Sequence, residues 1–286
     1  MADPIAVQEP QSNYVKVNGL RLHFLDWGGD GPPIVILHAT GFLARIYRPI
    51  AEALRAIGHV YAYDQCGHGD SDRPALQEIS WYRTADDLEG FLLAMGFSGV
   101  RAFGHSAGGT AIASVADRRP DLIARAMLVE PVLIDPADPF ERPNQLYDRT
   151  LKRKASFDNV AAMYANFAAK LPYASWRDDV LRDYCEYGTC AEADGRRTLK
   201  CPPAIEARLY QTARDFDGLG RLLTATVPML VVFGAQSDSP GLEFAERIAQ
   251  GAENRQVRVA PDCGHLAPME QPDAIARMAV EFFSVA

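Results

Sequence analysis

The sequence is poor in cysteine, and its few cysteines lack the spacing of a disulfide framework or a metal site. There are five, an odd number, and no two of them have C-x-x-C spacing. We therefore predict neither a disulfide framework nor a zinc site, and the chemistry inferred below needs no metal or organic cofactor. Because reduced thiols are typical of the cytoplasm, we expect a cytoplasmic protein. The cysteines are Cys66, Cys185, Cys190, Cys201 and Cys263.

The sequence also lacks a basic excess and any long hydrophobic run. The formal net charge of −8 argues against a nucleic-acid partner, because binding phosphates needs a positive face. Residues 1–17 show no basic segment followed by an apolar one, so we expect no signal peptide. The apolar runs are short and interrupted, so we expect no transmembrane helix and no membrane partner. Oligomeric state is left open.

Short aliphatic runs alternate with helical patterns, which predicts an α/β fold with a largely parallel sheet. A turn pair, Asn18-Gly19, favours a hairpin near the start. We predict strands at residues 14–17, 20–27, 34–37, 60–63, 100–103, 125–129, 229–233 and 256–259. We predict helices at 47–56, 85–95, 111–116, 243–249 and 273–283.

The pattern changes between Pro131 and about Arg221, where no strand-like run occurs. Helix-length segments are found there instead, at residues 159–170, 178–187 and 204–215. A helical block inserted between two halves of one sheet explains this change most simply. We therefore predict one domain over residues 1–286, with a helical cap inserted at about 132–221.

The motif that indicates chemistry is Gly104-His105-Ser106-Ala107-Gly108, a match to G-x-S-x-G. It follows a predicted strand and precedes an Ala/Gly-rich helix, as a nucleophile elbow requires. Side chains in place of the two glycines would collide with the neighbouring strand and helix. We therefore predict Ser106 as the nucleophile.

A serine hydroxyl needs a base at neutral pH, and His265 is the predicted one. It lies in Cys263-Gly264-His265, between the last strand and the last helix, which fits the chain order of serine, acid and histidine. Of the other five histidines, two lie in or at the end of a predicted strand, one at a helix end, one in a turn, and one beside the nucleophile with its ring pointing elsewhere.

Two carboxylates at strand ends compete for the role of the acid that orients His265. Asp238 follows the strand at 229–233 within Ser237-Asp238-Ser239, a turn that would hold its short side chain rigidly. Glu130 ends the strand at 125–129 and is followed by Pro131, which favours a hinge role. We favour Asp238 and keep Glu130 as the alternative.

Two backbone N–H groups should stabilise the oxyanion of an acyl-transfer reaction. The helix that begins after Ser106 offers the N–H of Ala107. The loop after the strand at 34–37 offers the N–H of Thr40. We predict Thr40 and Ala107 as the oxyanion hole.

Together these segments resemble the α/β-hydrolase superfamily, from Tyr14 to the end of the chain. The resemblance implies an eight-stranded, mostly parallel sheet flanked by helices, with a cap inserted after the sixth strand. It also implies esterase-type, lactonase-type or carbon–carbon-bond hydrolases among relatives. The matching segments are His38-Ala39-Thr40-Gly41, the run from Asp64 to Ser71, Gly104 to Gly109, Ser237-Asp238 and Gly264-His265.

The sequence departs from the family pattern in three places. Ala39 stands where the oxyanion loop commonly has glycine, and Cys66 where an arginine often appears. Asp238 comes four residues after Gly234, where many relatives have three. Ser106 in the elbow, in place of aspartate, argues against haloalkane dehalogenase and epoxide hydrolase chemistry.

We therefore expect a serine hydrolase that cleaves a small or medium carboxylic ester through a Ser-His-Asp acyl-enzyme mechanism. The alternatives are a lactonase or carbon–carbon-bond hydrolase with the same residues, or a ligand receptor on a hydrolase fold. Most cap aromatics are expected to pack internally, and the basic run is expected to be a solvated face. The aromatics are Phe140, Tyr147, Phe157, Tyr164, Phe167, Tyr173, Trp176, Tyr184, Tyr187 and Tyr210, and the basic run is Arg142, Arg149, Lys152, Arg153 and Lys154.

Overall fold

In a computed structural model of the protein, residues 9–134, 145–238, 240–250 and 253–285 are described. The strands of this part are β1 (Gln11–Val17), β2 (Leu20–Gly28), β3 (Pro33–Leu37), β4 (His59–Tyr63), β5 (Val100–His105), β6 (Ile123–Val129), β7 (Ser156–Phe157), β8 (Thr189–Ala191), β9 (Arg197–Leu199), β10 (Met229–Gly234) and β11 (Arg255–Ala260).

The α-helices of the same residues are α1 (Arg48–Leu54), α2 (Trp81–Ala94), α3 (Ala107–Arg118), α4 (Gln145–Leu151), α5 (Val160–Ala168), α6 (Asp178–Tyr187), α7 (Pro203–Thr212), α8 (Gly218–Thr224), α9 (Ala245–Ala249), α10 (Ala267–Glu270) and α11 (Pro272–Ser284). Short 3₁₀ helices occur at Ala44–Tyr47, Leu76–Glu78, Tyr173–Ser175, Ala213–Asp215 and Pro240–Phe244. Among these described helices, none combines the length and the apolar character needed to cross a bilayer.

The main sheet has eight strands in the order β1-β2-β4-β3-β5-β6-β10-β11. The pairs β1–β2 and β2–β4 are antiparallel, and the remaining pairs are parallel. The prediction of an α/β fold with a mostly parallel, eight-stranded sheet flanked by helices is confirmed. This order puts the carboxyl ends of β5, β6, β10 and β11 at one edge of the sheet, where ligands bind in such folds.

The hydrophobic core lies on both faces of the sheet. Along β3, Ile34 and Ile36 belong to the core under α1 and α11. Val35 and Leu37 alternate with them and belong to the core under α2 and α3. All four side chains are buried, which explains why the run is continuously aliphatic and not alternating.

The segment between β6 and β10 contains α4 to α8, and the predicted helices 159–170 and 178–187 correspond to α5 and α6. One expectation was wrong here: β7, β8 and β9 form a small antiparallel sheet in the order β7-β9-β8. Strands of two or three residues are too short to show a period-2 pattern in the sequence. That residues 132–221 act as a cap stays a prediction.

Candidate active site

Ser106 lies in the sharp turn between β5 and α3, at the carboxyl edge of the sheet. Its φ of 52° is in the left-handed region, which is strained for a residue with a side chain. Its N–H donates to the carbonyl of Val129 on the neighbouring strand at 3.0 Å. The side chain is thereby held at the tip of the turn, where strain of this kind marks functional positions.

The glycines on either side of Ser106 have a steric explanation. A Cβ at Gly104 would lie 2.7 Å from the Cα of Gly109 in α3. A Cβ at Gly108 would lie 2.4 Å from the carbonyl oxygen of Leu37 in β3. The expected collisions with the neighbouring strand and helix are therefore observed, and the turn has the geometry of a nucleophile elbow.

His265 lies in the loop between β11 and α10, with its ring between Ser106 and the interior. The Ser106 hydroxyl and the His265 Nε2 are 3.1 Å apart, within hydrogen-bond reach. The N–H of Gly264 donates to the Glu270 carboxylate at 2.7 Å, which fixes the loop just before the histidine. The contact between Ser106 Oγ and His265 Nε2 is short enough for the imidazole to accept a proton from Ser106.

Glu130 occupies the other side of the imidazole. Its Oε2 lies 3.0 Å from His265 Nδ1 and also accepts from the Ser237 hydroxyl at 2.8 Å. Its Oε1 accepts from the Gly234 N–H at 2.6 Å. The side chain is completely buried, and the φ of 51° at Glu130 turns it back from the end of β6 towards the histidine. Two donors other than the ring, the Gly234 N–H and the Ser237 hydroxyl, therefore hold the carboxylate in place against His265.

The structure brings Glu130, and not the favoured Asp238, next to His265; which of them serves as the acid stays a prediction. Asp238 is exposed, and the carboxylate that meets His265 is the alternative, Glu130. The chain leaving β10 makes a tight turn in which the Ser237 N–H donates to the Gly234 carbonyl at 3.1 Å. The side chain of this turn that points towards His265 is therefore that of Ser237, and its hydroxyl contacts Glu130.

Thr40 lies in the loop that follows β3, and Ala107 is the first residue of α3. The loop is fixed on both sides of Thr40. The Ala39 N–H donates to the Tyr47 hydroxyl at 3.1 Å, and the Gly41 N–H donates to His68 Nε2 at 3.0 Å. A Cβ at Gly108 would also lie 2.6 Å from the His38 carbonyl, so α3 begins directly against this loop. The oxyanion hole itself stays a prediction.

The histidines around the loop are buried, and burial lowers their affinity for protons. It lowers the pKa of His38, and it lowers the pKa of His68 and of His105 to about 3 each. His38 Nε2 accepts from the Gln65 N–H at 2.9 Å. At neutral pH these neutral rings are supports of the loop and of the elbow.

Tyr47 links the three parts of the site, a role that sequence reasoning missed. Its hydroxyl accepts from Ala39 in the oxyanion loop and donates to His105 Nδ1 at 2.7 Å. His105 Nε2 in turn donates to the His265 carbonyl at 2.8 Å. His105 therefore points away from the nucleophile position, as expected, and couples the elbow to the base.

Aromatic side chains of the inserted segment cover the loop beside Thr40. Phe42 meets the rings of Trp176 and Tyr184 edge to face, with centroids 5.2 and 5.8 Å away. Phe167 and Tyr173 extend this cluster, so the expectation of mostly internal packing holds for these rings. Phe140 lies outside the described residues.

The basic run of the segment divides into exposed and buried members. Arg149, Lys152 and Lys154 are exposed, as expected of a solvated face. The interpretation is wrong for Arg153, whose guanidinium is paired with Glu206 and with two tyrosine hydroxyls. Arg142 lies outside the described residues.

Comparison with known proteins places this geometry among hydrolases. The sequence profile described as "Alpha/beta hydrolase family" matches residues 34–278. The chain is 25% identical over 285 residues to 2-(acetamidomethylene)succinate hydrolase of Mesorhizobium japonicum, covering 99% of this chain and 98% of the relative. It is 22% identical over 272 residues to 2-hydroxy-6-oxononadienedioate/2-hydroxy-6-oxononatrienedioate hydrolase of Paraburkholderia xenovorans, covering 93% and 91%. The crystal structure of E-2-(acetamidomethylene)succinate hydrolase superposes with a TM-score of 0.80 at 22% identity, covering 96% of this chain and 100% of that one.

Proposed function

The chain belongs to the alpha/beta hydrolase family, and from this premise we propose that it hydrolyses a small or medium carboxylic ester by acyl transfer through Ser106. The observation that carries the proposal is one continuous chain of contacts. Ser106 Oγ lies 3.1 Å from His265 Nε2, and His265 Nδ1 lies 3.0 Å from Glu130 Oε2. A nucleophile, a base and an orienting acid are thus in line.

In the first half of the reaction, Ser106 Oγ attacks the ester carbonyl while its proton passes to His265 Nε2. The backbone N–H groups of Thr40 and Ala107 stabilise the negative oxygen of the tetrahedral intermediate. Glu130 stabilises the imidazolium, which then gives its proton to the departing alkoxide. An alcohol leaves, and the acyl group remains on Ser106.

In the second half, water attacks the acyl-enzyme as His265 removes its proton. The carboxylic acid is released when the proton returns to Ser106 Oγ. Each bond broken is matched by one formed, so the cycle needs only the substrate and water. In the resting enzyme and in the acyl-enzyme, the buried Glu130 keeps the neutral His265 in one tautomer, with the proton on Nδ1 and Nε2 free to accept.

The walls of the site favour a compact substrate with an apolar acyl or aryl part. Phe42, Trp176 and Tyr184 form an aromatic surface beside the oxyanion loop. Trp176 and Tyr184 belong to residues 132–221, which, acting as a cap, would keep bulk water from the acyl-enzyme. Both features favour a small molecule over a polymer.

A carbon–carbon-bond hydrolase with the same residues is the second candidate. The relative from Paraburkholderia xenovorans is named for a hydroxy-oxo acid, and its similarity extends over 93% of this chain. The same serine, histidine and carboxylate would serve in that reaction. A panel of esters, lactones and vinylogous diketones ranks the candidates by kcat/KM.

Ser106→Ala tests the proposal. The variant should lose roughly 10⁴–10⁶ in kcat on p-nitrophenyl acetate and butyrate, and a fluorophosphonate should label Ser106 in the native protein. Ser114→Ala is the matched control, because Ser114 is buried in the same helix without contacting His265. Full activity of Ser106→Ala, or labelling of another residue, contradicts the mechanism. Absence of turnover with every ester, lactone and diketone of the panel, with Ser106 intact, would favour a ligand receptor.

We also propose a cytoplasmic location. The thiols of Cys66, Cys185, Cys190, Cys201 and Cys263 are all free. A reducing compartment keeps thiols in that state. Fractionation of the native cell tests this, and recovery of the protein outside the cytoplasm would refute it.

A further inference from the structure

A buried ion pair lies within the inserted segment, outside the chain of contacts that performs the chemistry. Arg153, just after α4, contacts the carboxylate of Glu206 in α7, and their side chains are 16% and 9% exposed. The guanidinium also donates to the Tyr184 hydroxyl at 3.0 Å and to the Tyr173 hydroxyl at 3.3 Å. The pair is therefore well satisfied and carries no net charge.

The Glu206 carboxylate rests directly on the oxyanion loop. A Cβ at Gly41 would lie 2.9 Å from the carboxyl carbon of Glu206, so only glycine fits beneath it. Gly41 follows Thr40, whose N–H is a proposed oxyanion donor. The charges of Glu206 and Arg153 therefore lie next to Gly41, one residue away from the proposed oxyanion donor Thr40.

Thr40 adds a second polar group at the same place. Its side chain is 6% exposed, and among the described residues its hydroxyl has no hydrogen-bond partner. A buried hydroxyl without a partner favours a ligand that places a polar group within its reach.

A carboxylate on the substrate would meet unfavourable electrostatics beside the Arg153–Glu206 pair. To reach Arg153 it would have to displace Glu206 or lie beside it, and two carboxylates sharing one buried site repel each other. A second cation, Lys200, lines the cavity beside Gly41 and is already paired with Asp70 at 2.6 Å, so a carboxylate placed there would lose its hydration without gaining a free cation. An uncharged acyl group pays neither penalty.

We propose that Arg153 and Glu206 are specificity-determining residues, and that the neutral pair makes the enzyme select esters with an uncharged acyl group over esters with an anionic one. This inference rests on the proposed ester hydrolysis. It predicts that selectivity depends on the balance of the two charges. Removal of the Glu206 charge alone leaves Arg153 as a buried, unpaired cation and should invite an anionic substrate.

Methyl 4-oxopentanoate and monomethyl succinate form a matched pair for the test, because an acetyl group and a carboxylate are similar in shape and differ in charge. The quantity measured is the ratio of kcat/KM for the neutral ester to that for the anionic one. Wild type should favour the neutral ester at least about 10-fold, and Glu206→Gln should lower the ratio at least about 10-fold, corresponding to a loss of about one decade in relative affinity. The double variant Arg153→Gln/Glu206→Gln, again neutral, should restore the ratio.

Glu246→Gln is the matched control, since it makes the same change in net charge on an exposed position of α9. It should leave the ratio unchanged. A wild-type preference for monomethyl succinate overturns the proposal, and so does an unchanged ratio in a folded Glu206→Gln protein. If Glu206→Gln does not fold, Arg153→Gln takes its place: it leaves Glu206 as an unpaired anion and should raise the ratio, and an unchanged ratio in this folded variant would equally overturn the proposal.

Binding separates this inference from the proposed function. The affinities of both esters for Ser106→Ala, measured by isothermal titration, give the same comparison without turnover. If Ser106→Ala binds the neutral ester preferentially and the wild-type enzyme hydrolyses neither ester, the proposed hydrolysis is refuted and the proposed selectivity stands. Binding of neither ester would refute the assignment of the Arg153–Glu206 pair to the substrate site.

Discussion

Replacing Glu130 by glutamine exchanges one carboxylate oxygen for an NH₂ group, which removes the negative charge and keeps the shape of the side chain. The amide would still have to serve the Gly234 N–H, which contacts Oε1 at 2.6 Å and requires an acceptor. The amide oxygen therefore takes the Oε1 position, and the NH₂ group takes the place of Oε2. That NH₂ group then faces His265 Nδ1, where a carboxylate oxygen lay at 3.0 Å.

An NH₂ group facing Nδ1 reverses the tautomer of the imidazole. Nδ1 must now accept a hydrogen bond, so the ring proton moves to Nε2, the atom 3.1 Å from Ser106 Oγ. A protonated Nε2 cannot take the serine proton. We expect kcat to fall by about 10⁴, which is the cost of the wrong tautomer in a serine triad.

The assay is steady-state hydrolysis of p-nitrophenyl butyrate, with the fold checked by circular dichroism. Asp238→Asn is the matched control, because it removes the same charge from an exposed side chain and should keep kcat within about twofold. The downfield proton resonance of His265 Nδ1–H should be present in wild type and absent in Glu130→Gln. That signal reports the tautomer independently of activity.

The result that refutes this reasoning is the reverse pattern. If Asp238→Asn loses about 10⁴ in kcat and Glu130→Gln stays near wild type, the acid is Asp238 and the geometry around Glu130 is structural. Equal and modest losses in both variants would show that neither carboxylate fixes the tautomer.

Two further predictions concern the supports of the site. Tyr47→Phe leaves the buried Ala39 N–H and His105 without their partner, so the free energy of unfolding should fall by about 1–3 kcal/mol in urea titrations, and kcat should fall with it; an unchanged stability would contradict the linking role. His68 has a native pKa of about 3 against 6.5 in water, because it is buried, so the unfolded state binds more protons below pH 6.5 and stability is lost as pH falls from there towards 3. The slope should reach about 1.4 kcal/mol per pH unit for this group, and His68→Gln should show a shallower dependence in the same titrations; equal slopes would refute it.

Much of the fold was predictable because the central strands of the sheet, such as β3 and β10, are buried on both faces. The run Ile34 to Leu37 lies between two cores, and burial on both sides leaves only aliphatic residues, which are easy to see in a sequence. The nucleophile was predictable for a related reason. A Cβ at Gly104 or Gly108 would lie less than 3 Å from neighbouring atoms, so both positions require glycine, and the two glycines are visible in the sequence.

The small sheet and the buried pair of the inserted segment were not predictable in this way. Strands β7, β8 and β9 are too short for a period to appear. Arg153 stands in a basic run whose other described members are exposed, and only the approach of Glu206 from another helix separates it from them. Its partner is 53 residues away in the chain, so no local pattern records the pairing.

The choice between Glu130 and Asp238 shows why the acid could not be decided from strand ends. β6 and β10 are neighbours in the sheet, so a carboxylate at the end of either strand starts near the histidine. The path of the backbone after each strand gives the two carboxylates different directions. The Ala235 and Gln236 N–H groups donate to carbonyls at and just beyond the end of β11, which fixes the turn after β10. Within that turn the inward position falls to residue 237.

The sequence held a clue to this outcome in the spacing after Gly234. Relatives commonly carry the acid three residues after that glycine, and this chain has Ser237 there and Asp238 one residue later. A shift of one residue in a tight turn moves a side chain from the interior to solvent, as the exposure of Asp238 shows. The hydroxyl of Ser237 donates to Glu130 at 2.8 Å, so the usual acid position now holds a donor for the carboxylate of the adjacent strand. The residue that stands at the shifted position and the carboxylate at the end of β6 are therefore joined by a hydrogen bond in one arrangement around His265.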